Sequence, residues 1–239
     1  MEYSFSFKDI DDLEFKLTEA NSNYTFNGVK VPRVTEIISK MIHEDSLLYW
    51  ANGLGFKHTR YSDEMKKYTT IGSAAHKAIE IFLKKGIIPQ DAPYNPITAF
   101  ISWWNRIISN NKVTVIGQEV PLVCQYYGGT YDLLIRVNDD YWLIDFKTSN
   151  HITYKYFLQL AAYNQILRDK DHMNLRGVLV LQLEKTRPIY HEYYLDFARP
   201  ESKDYFNNCE RTFMSLLYGY YNIKYLEKEY SHAYYKTSV

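Results

Sequence analysis

Residues 128–149 have the sequence GGTYDLLIRVNDDYWLIDFKTS, the most informative stretch in the chain. It contains two β-rich segments separated by turn-forming residues at 138–140, and a third β-rich segment, VTVIGQEVPLVC, comes before it. The pattern predicts a three-stranded antiparallel meander. Side chains alternate between the faces of a strand, so Asp145 and Lys147 share one face of the third strand. An acid and a base therefore lie together in a run suited to burial, where charge is costly unless it is paired or bound to a metal.

Helices surround this meander in the sequence. The element pattern predicts one α/β domain with a helical N-terminal elaboration. We divide the chain into an acidic N-terminal arm (1–23), a mainly helical part (24–111) and a core (112–239). The predicted elements before the meander are a hairpin over 24–34 turning at Asn27-Gly28, a short helix N-capped by Thr35, a weak helix over 46–68 broken by Gly53 and Gly55, and two helices that end at Gly86 and Asn111. The meander itself has a tight turn at YYGG (126–129). After it we predict a helix over 154–168, strands over 177–184 and 190–196, and a final helix over 201–226.

Composition excludes several classes of protein. The 239 residues carry 28 Lys and Arg against 28 Asp and Glu, and this net charge of zero argues against holding nucleic acid by bulk positive charge. Two cysteines, Cys124 and Cys209, are too few for a disulfide framework or an unaided iron–sulfur cluster. No apolar run approaches the ~20 residues that span a bilayer, and the N-terminus lacks a signal-peptide core. We therefore expect a soluble, cytoplasmic protein with no membrane partner.

Four short motifs follow one another along the chain. They are G-x-x-x-H ending at His76, G-x-x-D ending at Asp132, D-x-K at 145–147 and Q-x-x-x-Y from Gln159 to Tyr163. Gln159 and Tyr163 are four residues apart, so they lie on one face of a helix that closely follows the D-x-K strand. Each motif alone has a plainer explanation: a sheet-surface ion pair, a turn acid, a core or surface histidine, or a packing tyrosine. Their co-occurrence in this order is what indicates a functional site.

The ordered set resembles the PD-(D/E)XK nuclease superfamily, and within it the RecB-like and Cas4-like exonuclease branch. The likeness is greatest to the group containing the mitochondrial genome-maintenance exonuclease and its phage and bacterial relatives, and it spans residues 24–225. The P-S-V-T segment of that group corresponds to Pro32 to Thr35 here, with Arg33 where a small hydroxyl residue is usual. The acidic arm has no counterpart. The cluster-bearing members of this branch use four cysteines to hold an iron–sulfur cluster. This chain has two cysteines, so the resemblance places it outside that group.

The resemblance implies a restriction-endonuclease-like core, in which helices flank a central mixed β-sheet. It also implies a site for Mg²⁺ or Mn²⁺ and no iron–sulfur cluster. Asp132 and Asp145, with the backbone carbonyl of Phe146, make an oxygen-rich ligand set that suits Mg²⁺. His76 adds a nitrogen, which suits Mn²⁺ better. Lys147 is placed to orient the attacking water or to help deprotonate it.

Other residues receive roles with open alternatives. Glu119 is a candidate for a second metal site or a water network, and a solvent-facing strand acid explains it equally well. Thr148 and Ser149 either contact phosphates or cap the following helix. The DNA contacts that the resemblance implies are Gln159, Tyr163, Thr148, Ser149, Arg33 and Thr35. Basic and aromatic residues ahead of His76 form either a track for a single strand or a solvated helix face. These residues are Lys57, His58, Arg60, Lys66, Lys67, Tyr61, Tyr68 and Trp50.

Together these inferences predict a divalent-metal-dependent DNA exonuclease. It would hydrolyse phosphodiester bonds in single-stranded DNA or at frayed and flap ends, during phage or bacterial replication, recombination or repair. The first alternative is a structure-specific endonuclease or a duplex exonuclease of the same fold. The second is a non-catalytic DNA-binding protein with a degenerate nuclease domain, against which the intact Asp132, Asp145 and Lys147 argue. The third is a generic α/β domain with chance motifs.

Overall fold

The computed structural model describes residues 24–234 except residues 44 and 59. The acidic arm predicted over residues 1–23 lies outside the described residues. The elements of the described chain, in order, are β1 (Thr25–Phe26), β2 (Val29–Lys30), α1 (Val34–Met41), α2 (Asp45–Phe56), α3 (Tyr61–Lys85), α4 (Tyr94–Asn110), β3 (Val113–Val123), β4 (Gly128–Val137), β5 (Asp140–Lys147), α5 (Tyr154–Asp171), β6 (Leu175–Leu183), β7 (Tyr190–Asp196) and α6 (Pro200–Tyr234).

Strands β3 to β7 form one mixed sheet in the order β3-β4-β5-β6-β7. The first three strands are the antiparallel meander, and that prediction is confirmed. Helix α5 forms a crossover connection between β5 and β6, which allows these two strands to pair in parallel. Strand β7 then pairs antiparallel to β6. The prediction of an α/β fold with a mixed central sheet flanked by helices is also confirmed.

Each face of the sheet carries an apolar core. On one face, α4 and part of α3 pack over the central strands around the buried rings of Trp103 and Phe146. On the other face, α1, α5 and α6 pack around residues that include Phe213. Because side chains alternate along β5, Phe146 enters the first core while Asp145 points toward α5. This alternation places the charged pair of the D-x-K motif under a helix.

Two predicted turn features are confirmed. Asn27 and Gly28 both adopt positive φ, at 49° and 81°, in the tight turn between β1 and β2. Gly86 ends α3 in the left-handed conformation, with φ at 69°. No helix among the described residues is both long and apolar enough to cross a membrane.

The predicted start of α1 is wrong, because Thr35 does not cap the helix. Arg33 occupies the N-cap position without a side-chain capping bond, and Thr35 is an exposed residue of the first turn. The physical reason is pairing with the sheet. Gly128 donates its N–H to the carbonyl of Pro32 at 2.9 Å, and Arg33 makes an isolated parallel bridge to Gly128. The chain therefore stays extended through Arg33, and the helix starts directly after it.

Other predicted boundaries are also wrong. Helix α2 continues through Gly53 and Gly55 to Phe56, because a single helical glycine costs only about 1 kcal/mol. The break between helices falls instead at residues 57–60. The tight turn expected at YYGG lies at 124–127, where the N–H of Cys124 donates to the carbonyl of Tyr127, and both glycines belong to β4. Helix α6 runs to residue 234 and not to 226.

Candidate metal centre

The register between β4 and β5 brings two acids together at one end of the sheet. Leu133 pairs with Ile144 across the two strands. The neighbouring positions, Asp132 and Asp145, therefore lie side by side on the face toward α5. Both side chains are buried, with residue exposures of 8% and 2%. Asp132 Oδ2 also accepts a 2.6 Å hydrogen bond from the backbone N–H of Phe146, which fixes one of its oxygens.

Helix α3 adds His76 to these acids. Its Nδ1 lies 3.4 Å from Asp132 Oδ1 and 3.5 Å from Glu119 Oε1. Its Nε2 lies 3.1 Å from the backbone carbonyl oxygen of Phe146. Among the described residues, His76, Glu119 and Asp132 form a group whose ligand atoms all lie within 4.8 Å of one another. These atoms are close enough to share one metal ion.

Glu119 reaches this group through an unusual backbone conformation. It has φ at 49° within β3, a left-handed value that a non-glycine residue on a strand seldom adopts. The flanking pairs, Gln118 with Leu133 and Val120 with Tyr131, place Glu119 opposite Asp132. Such strain costs about 1–3 kcal/mol and clusters at functional sites. The sequence left Glu119 open between a second metal site or water network and a solvent-facing strand acid, and this conformation is additional evidence for a role in the site.

The two carboxylate oxygens of Asp145 differ in their hydrogen bonds. Oδ1 accepts hydrogen bonds from Lys147 Nζ at 2.8 Å and from Gln159 Nε2 at 3.1 Å. Oδ2 is also 2.8 Å from Lys147 Nζ, but the geometry gives it no hydrogen bond although the atom is buried. A short distance alone does not align a lone pair with a donor, so this contact is an ion pair without a directed bond to Oδ2. The ammonium of Lys147 therefore compensates the buried charge of Asp145 in this structure.

Burial and neighbouring charges shift the pKa values of the four ionisable groups His76, Asp132, Asp145 and Lys147. Burial lowers the pKa of His76, but the charge of Asp132 and hydrogen bonds to Asp132 and Glu119 outweigh it and raise the pKa to about 10. Burial raises the pKa of Asp132, but the His76 cation reverses this and holds the pKa below its usual value. Burial raises the pKa of Asp145 to about 6, opposed by Lys147 and reinforced by Asp132. Burial lowers the pKa of Lys147, but the charges of Asp145 and Asp132 raise it above its usual value.

These residues fit a hard divalent cation. Three carboxylates, one backbone carbonyl and one imidazole are the ligand types expected for Mg²⁺ or Mn²⁺, with the imidazole favouring Mn²⁺. The crowding of Glu119 and Asp132 around His76 concentrates negative charge where a cation would be stabilised. Without a metal, the proton on His76 supplies part of that charge.

Gln159 and Tyr163, predicted to contact DNA, are both buried, and Gln159 contacts Asp145. Gln159 Nε2 donates to Asp145 Oδ1 and, at 3.2 Å, to the hydroxyl oxygen of Tyr163. Tyr163 lies directly over Gly129, where an added Cβ would come within 2.7 Å of its hydroxyl oxygen. The glycine of the G-x-x-D motif therefore makes room for the tyrosine of the Q-x-x-x-Y motif. In this arrangement the two α5 side chains hold Asp145 in place.

Thr148 and Ser149 lie between the D-x-K strand and α5. Neither caps that helix, since its N-cap is Thr153, so the capping alternative is wrong. Thr148 is buried against Gly72 of α3, where an added Cβ would lie 3.2 Å from Thr148 Oγ1. Ser149 Oγ donates to the carbonyl of His151 at 3.2 Å.

Tyr156 is a neighbour of the site that sequence reasoning missed. Its ring centroid is 4.9 Å from Lys147 Nζ, and its hydroxyl donates to Ser149 Oγ at 3.1 Å. It precedes Gln159 by three residues, which places it on the same helix face one turn earlier. That spacing is a usable signal, but it is weak in a chain with 24 tyrosines.

Arg33 and Thr35 lie at the start of α1 with exposed side chains. Arg33 is joined to β4 through its backbone bridge to Gly128. Gly128 is four residues from Asp132 along the strand, a distance of roughly 13 Å. The backbone of Arg33 is therefore outside the cluster of His76, Glu119 and Asp132.

The basic residues ahead of His76 lie where α2 meets α3. Lys57, His58, Arg60, Lys66 and Lys67 are all exposed. The side chains of Trp50 and Tyr68 lie outside the described residues. Two other aromatic side chains of α2 are strongly exposed, Tyr49 at 76% and Phe56 at 88%.

Comparison with known proteins leaves the family open. No protein-family model matches the chain, and no curated protein matches it. A solved structure named "Crystal structure of SSO0001" is 12% identical, with 88% of this chain and 79% of that chain covered. Its TM-score of 0.32 is too low to carry an argument about fold or function. Any function assigned to this chain therefore depends on the chemistry of its own residues.

Proposed function

We propose that the protein is a divalent-metal-dependent deoxyribonuclease with a restriction-endonuclease-like, PD-(D/E)XK core. The observation that carries the proposal is the cluster at this end of the sheet, where possible ligand atoms of His76, Glu119 and Asp132 lie within 4.8 Å of one another. The buried ion pair of Asp145 and Lys147 lies beside them. The mixed sheet, with a crossover helix directly after the D-x-K strand, supports this fold.

The proposed ligands come from four different elements. His76, Asp132, Asp145 and the carbonyl of Phe146 would hold Mg²⁺ or Mn²⁺, with Glu119 as a further ligand. When bound, the ion supplies positive charge at the scissile phosphate and lowers the pKa of a water molecule. Because these ligands lie on a rigid sheet and a long helix, their geometry is fixed before the substrate arrives.

The side chains around the ligands have separate tasks. Lys147 carries a charged ammonium, since its pKa is raised, so it orients a water or a phosphate oxygen by donating hydrogen bonds. Gln159 keeps Asp145 in position by donating to Oδ1. His76 must release a proton before a ring nitrogen can bind a metal.

A single-stranded substrate is supported by the surface at the junction of α2 and α3. Exposed basic residues and the exposed rings of Tyr49 and Phe56 are the combination that single-strand binding uses, with charge for the backbone and rings for the bases. Lys66 and His76 are on the same helix, ten residues and about 15 Å apart. A strand lying along α3 would therefore lead from these basic residues to the metal centre.

The test uses four DNA substrates with the purified protein in Mn²⁺: linear and covalently closed circular molecules, each single- and double-stranded. We expect linear single strands to be degraded fastest, circles to resist, and a chelator to stop the reaction. Cleavage of closed circles would instead make the protein an endonuclease, and faster degradation of linear duplexes would make it a duplex exonuclease. Binding without cleavage of any substrate would favour a degenerate, non-catalytic domain.

A further inference from the structure

Tyr156 is attached to its surroundings at two points beside the proposed catalytic lysine. It is the third residue of α5, so its backbone belongs to a helix anchored in the core. Its hydroxyl donates to Ser149 Oγ at 3.1 Å, and Ser149 Oγ donates in turn to the carbonyl of His151 at 3.2 Å. The ring is thus held from the helix on one side and from the β5–α5 loop on the other.

The face of this ring is directed at the ammonium of Lys147. Nζ lies 4.9 Å from the ring centroid, within the ~6 Å range of a cation–π contact. The other close partners of Nζ are the two oxygens of Asp145, each at 2.8 Å, and Gln159 Oε1 at 3.5 Å. Tyr156, like Gln159, is therefore an uncharged partner of the Lys147 ammonium.

The lack of charge on Tyr156 matters because the Lys147 ammonium and a metal ion would compete for the same carboxylate, that of Asp145. A carboxylate that binds a metal ion attracts a neighbouring ammonium less strongly than a free one does. Lysine has a long flexible side chain, so an ammonium that loses this attraction samples more rotamers. An aromatic face holds the ammonium without adding a negative charge that would compete for the metal.

We propose that Tyr156 is a positioning residue, whose ring keeps Lys147 Nζ at the site when Asp145 binds the metal. The inference rests on the proposed nuclease function. Its specific content is that the ring does the positioning, while the hydroxyl bond to Ser149 only orients the ring. Replacement by phenylalanine therefore preserves the effect, and replacement by leucine abolishes it.

The kinetic experiment compares Tyr156→Leu, Tyr156→Phe and Tyr156→Trp on linear single-stranded DNA at saturating Mn²⁺. We expect Tyr156→Leu to lower kcat at least about tenfold with KM nearly unchanged, while the two aromatic variants stay within about threefold of wild type. The matched control is Tyr154→Leu, because Tyr154 is 52% exposed on the same helix turn and should leave kcat unchanged. Wild-type kcat in Tyr156→Leu would overturn the inference, and so would an equal loss in Tyr156→Phe.

A second readout does not depend on nuclease activity. Acylation of Lys147 by an amine-reactive reagent, followed by peptide mass spectrometry in the presence of Mn²⁺, reports how freely the side chain moves. We expect faster labelling in Tyr156→Leu than in wild type, and wild-type labelling in Tyr156→Phe, with thermal unfolding confirming that each variant is folded. Equal labelling in all variants would refute the positioning role, even if wild-type protein does not cut DNA. A wild type that fails to cut DNA while the labelling pattern holds would refute only the nuclease proposal.

Discussion

His76 is the residue at which a proton and a metal ion compete. Its Nδ1 faces Asp132 and Glu119, and these carboxylates raise the pKa of the imidazole to about 10, although burial alone would lower it. At neutral pH the metal-free protein therefore carries a proton on the group that we propose as a metal ligand. Metal binding must displace that proton.

We predict that Mn²⁺ binding releases roughly one proton per ion at pH 7, and that affinity rises about tenfold per pH unit between pH 7 and 9. The sign follows from the raised pKa: as pH rises toward 10, less work is needed to deprotonate His76. Calorimetry in buffers of different ionisation enthalpy measures the proton count. His76→Gln should bind the metal more weakly and release no proton, whereas His191→Gln, at a side chain exposed by 46%, should behave like wild type. Tight binding without proton release would contradict the assignment of His76.

At the scale of single residues, local spacing identified the acids and the Gln159–Tyr163 pair, but it did not identify Tyr156 or decide the role of Glu119. Asp145 and Lys147 follow from strand alternation, a property of neighbouring residues. Glu119 acts through a left-handed conformation, and Tyr156 through a contact across a loop. Both depend on tertiary packing, which no short sequence window contains. The folded chain is therefore needed to find Tyr156 and to favour a site role for Glu119 over that of a solvent-facing strand acid.

At the scale of elements, the site depends on how closely α5 approaches β4. Tyr163 of α5 sits over Gly129 of β4, and Gln159 on the same helix face reaches Asp145. The packing leaves no room for a methyl group between strand and ring, so the helix can reach the acid only because residue 129 is glycine.

Gly129→Ala should destabilise the protein by about 1–3 kcal/mol and reduce nuclease activity, because the added methyl group displaces Tyr163 and with it the bond to Gln159. Urea denaturation measures the first effect. The matched control is Gly53→Ala, where no atom lies within 4 Å of the added Cβ and α2 is helical. That substitution should stabilise the protein by about 0.5–1 kcal/mol. Equal effects of the two substitutions would contradict the close packing of α5 on β4.

Elements themselves were predicted better than their ends. The meander and the helix ending at Gly86 follow from alternation and periodicity, which repeat over many residues. The start of α1 is set by the bridge between Arg33 and Gly128, residues far apart in sequence. The turn at 124–127 likewise falls before the glycines that signalled it. Long-range backbone pairing thus overrode local turn and capping signals.

At the scale of the whole molecule, the zero net charge is an average over unlike parts. Residues 1–23 carry six acids and two lysines, a net charge of −4, so residues 24–239 carry +4. A metal-centred nuclease does not need a strongly basic surface, because the ion supplies positive charge where the phosphate binds. Affinity for DNA should accordingly be modest and sensitive to the acids near the N-terminus.

Replacing the six acids of residues 1–23 by their amides should tighten binding to a single-stranded oligonucleotide several-fold at about 50 mM salt. The difference should shrink toward zero above about 0.3 M salt, because the interaction is between screened charges. Fluorescence anisotropy in a chelator, where no cleavage occurs, measures it. An unchanged affinity at low salt would show that these acids do not oppose DNA binding.

The cleavage of labelled linear single-stranded DNA by Asp145→Asn, compared with Asp139→Asn, addresses the proposed function most directly. Both substitutions replace a carboxylate with an amide of the same shape, but Asp145 is buried at the cluster while Asp139 is exposed in the β4–β5 turn. With Mn²⁺ present, we predict that Asp145→Asn loses activity at least about a hundredfold, since a bound metal contributes several kcal/mol to the reaction. Asp139→Asn should cleave at the wild-type rate, and both variants should remain folded. Equal cleavage by the two variants would contradict the proposed metal centre, and so would cleavage by wild type that continues in a chelator.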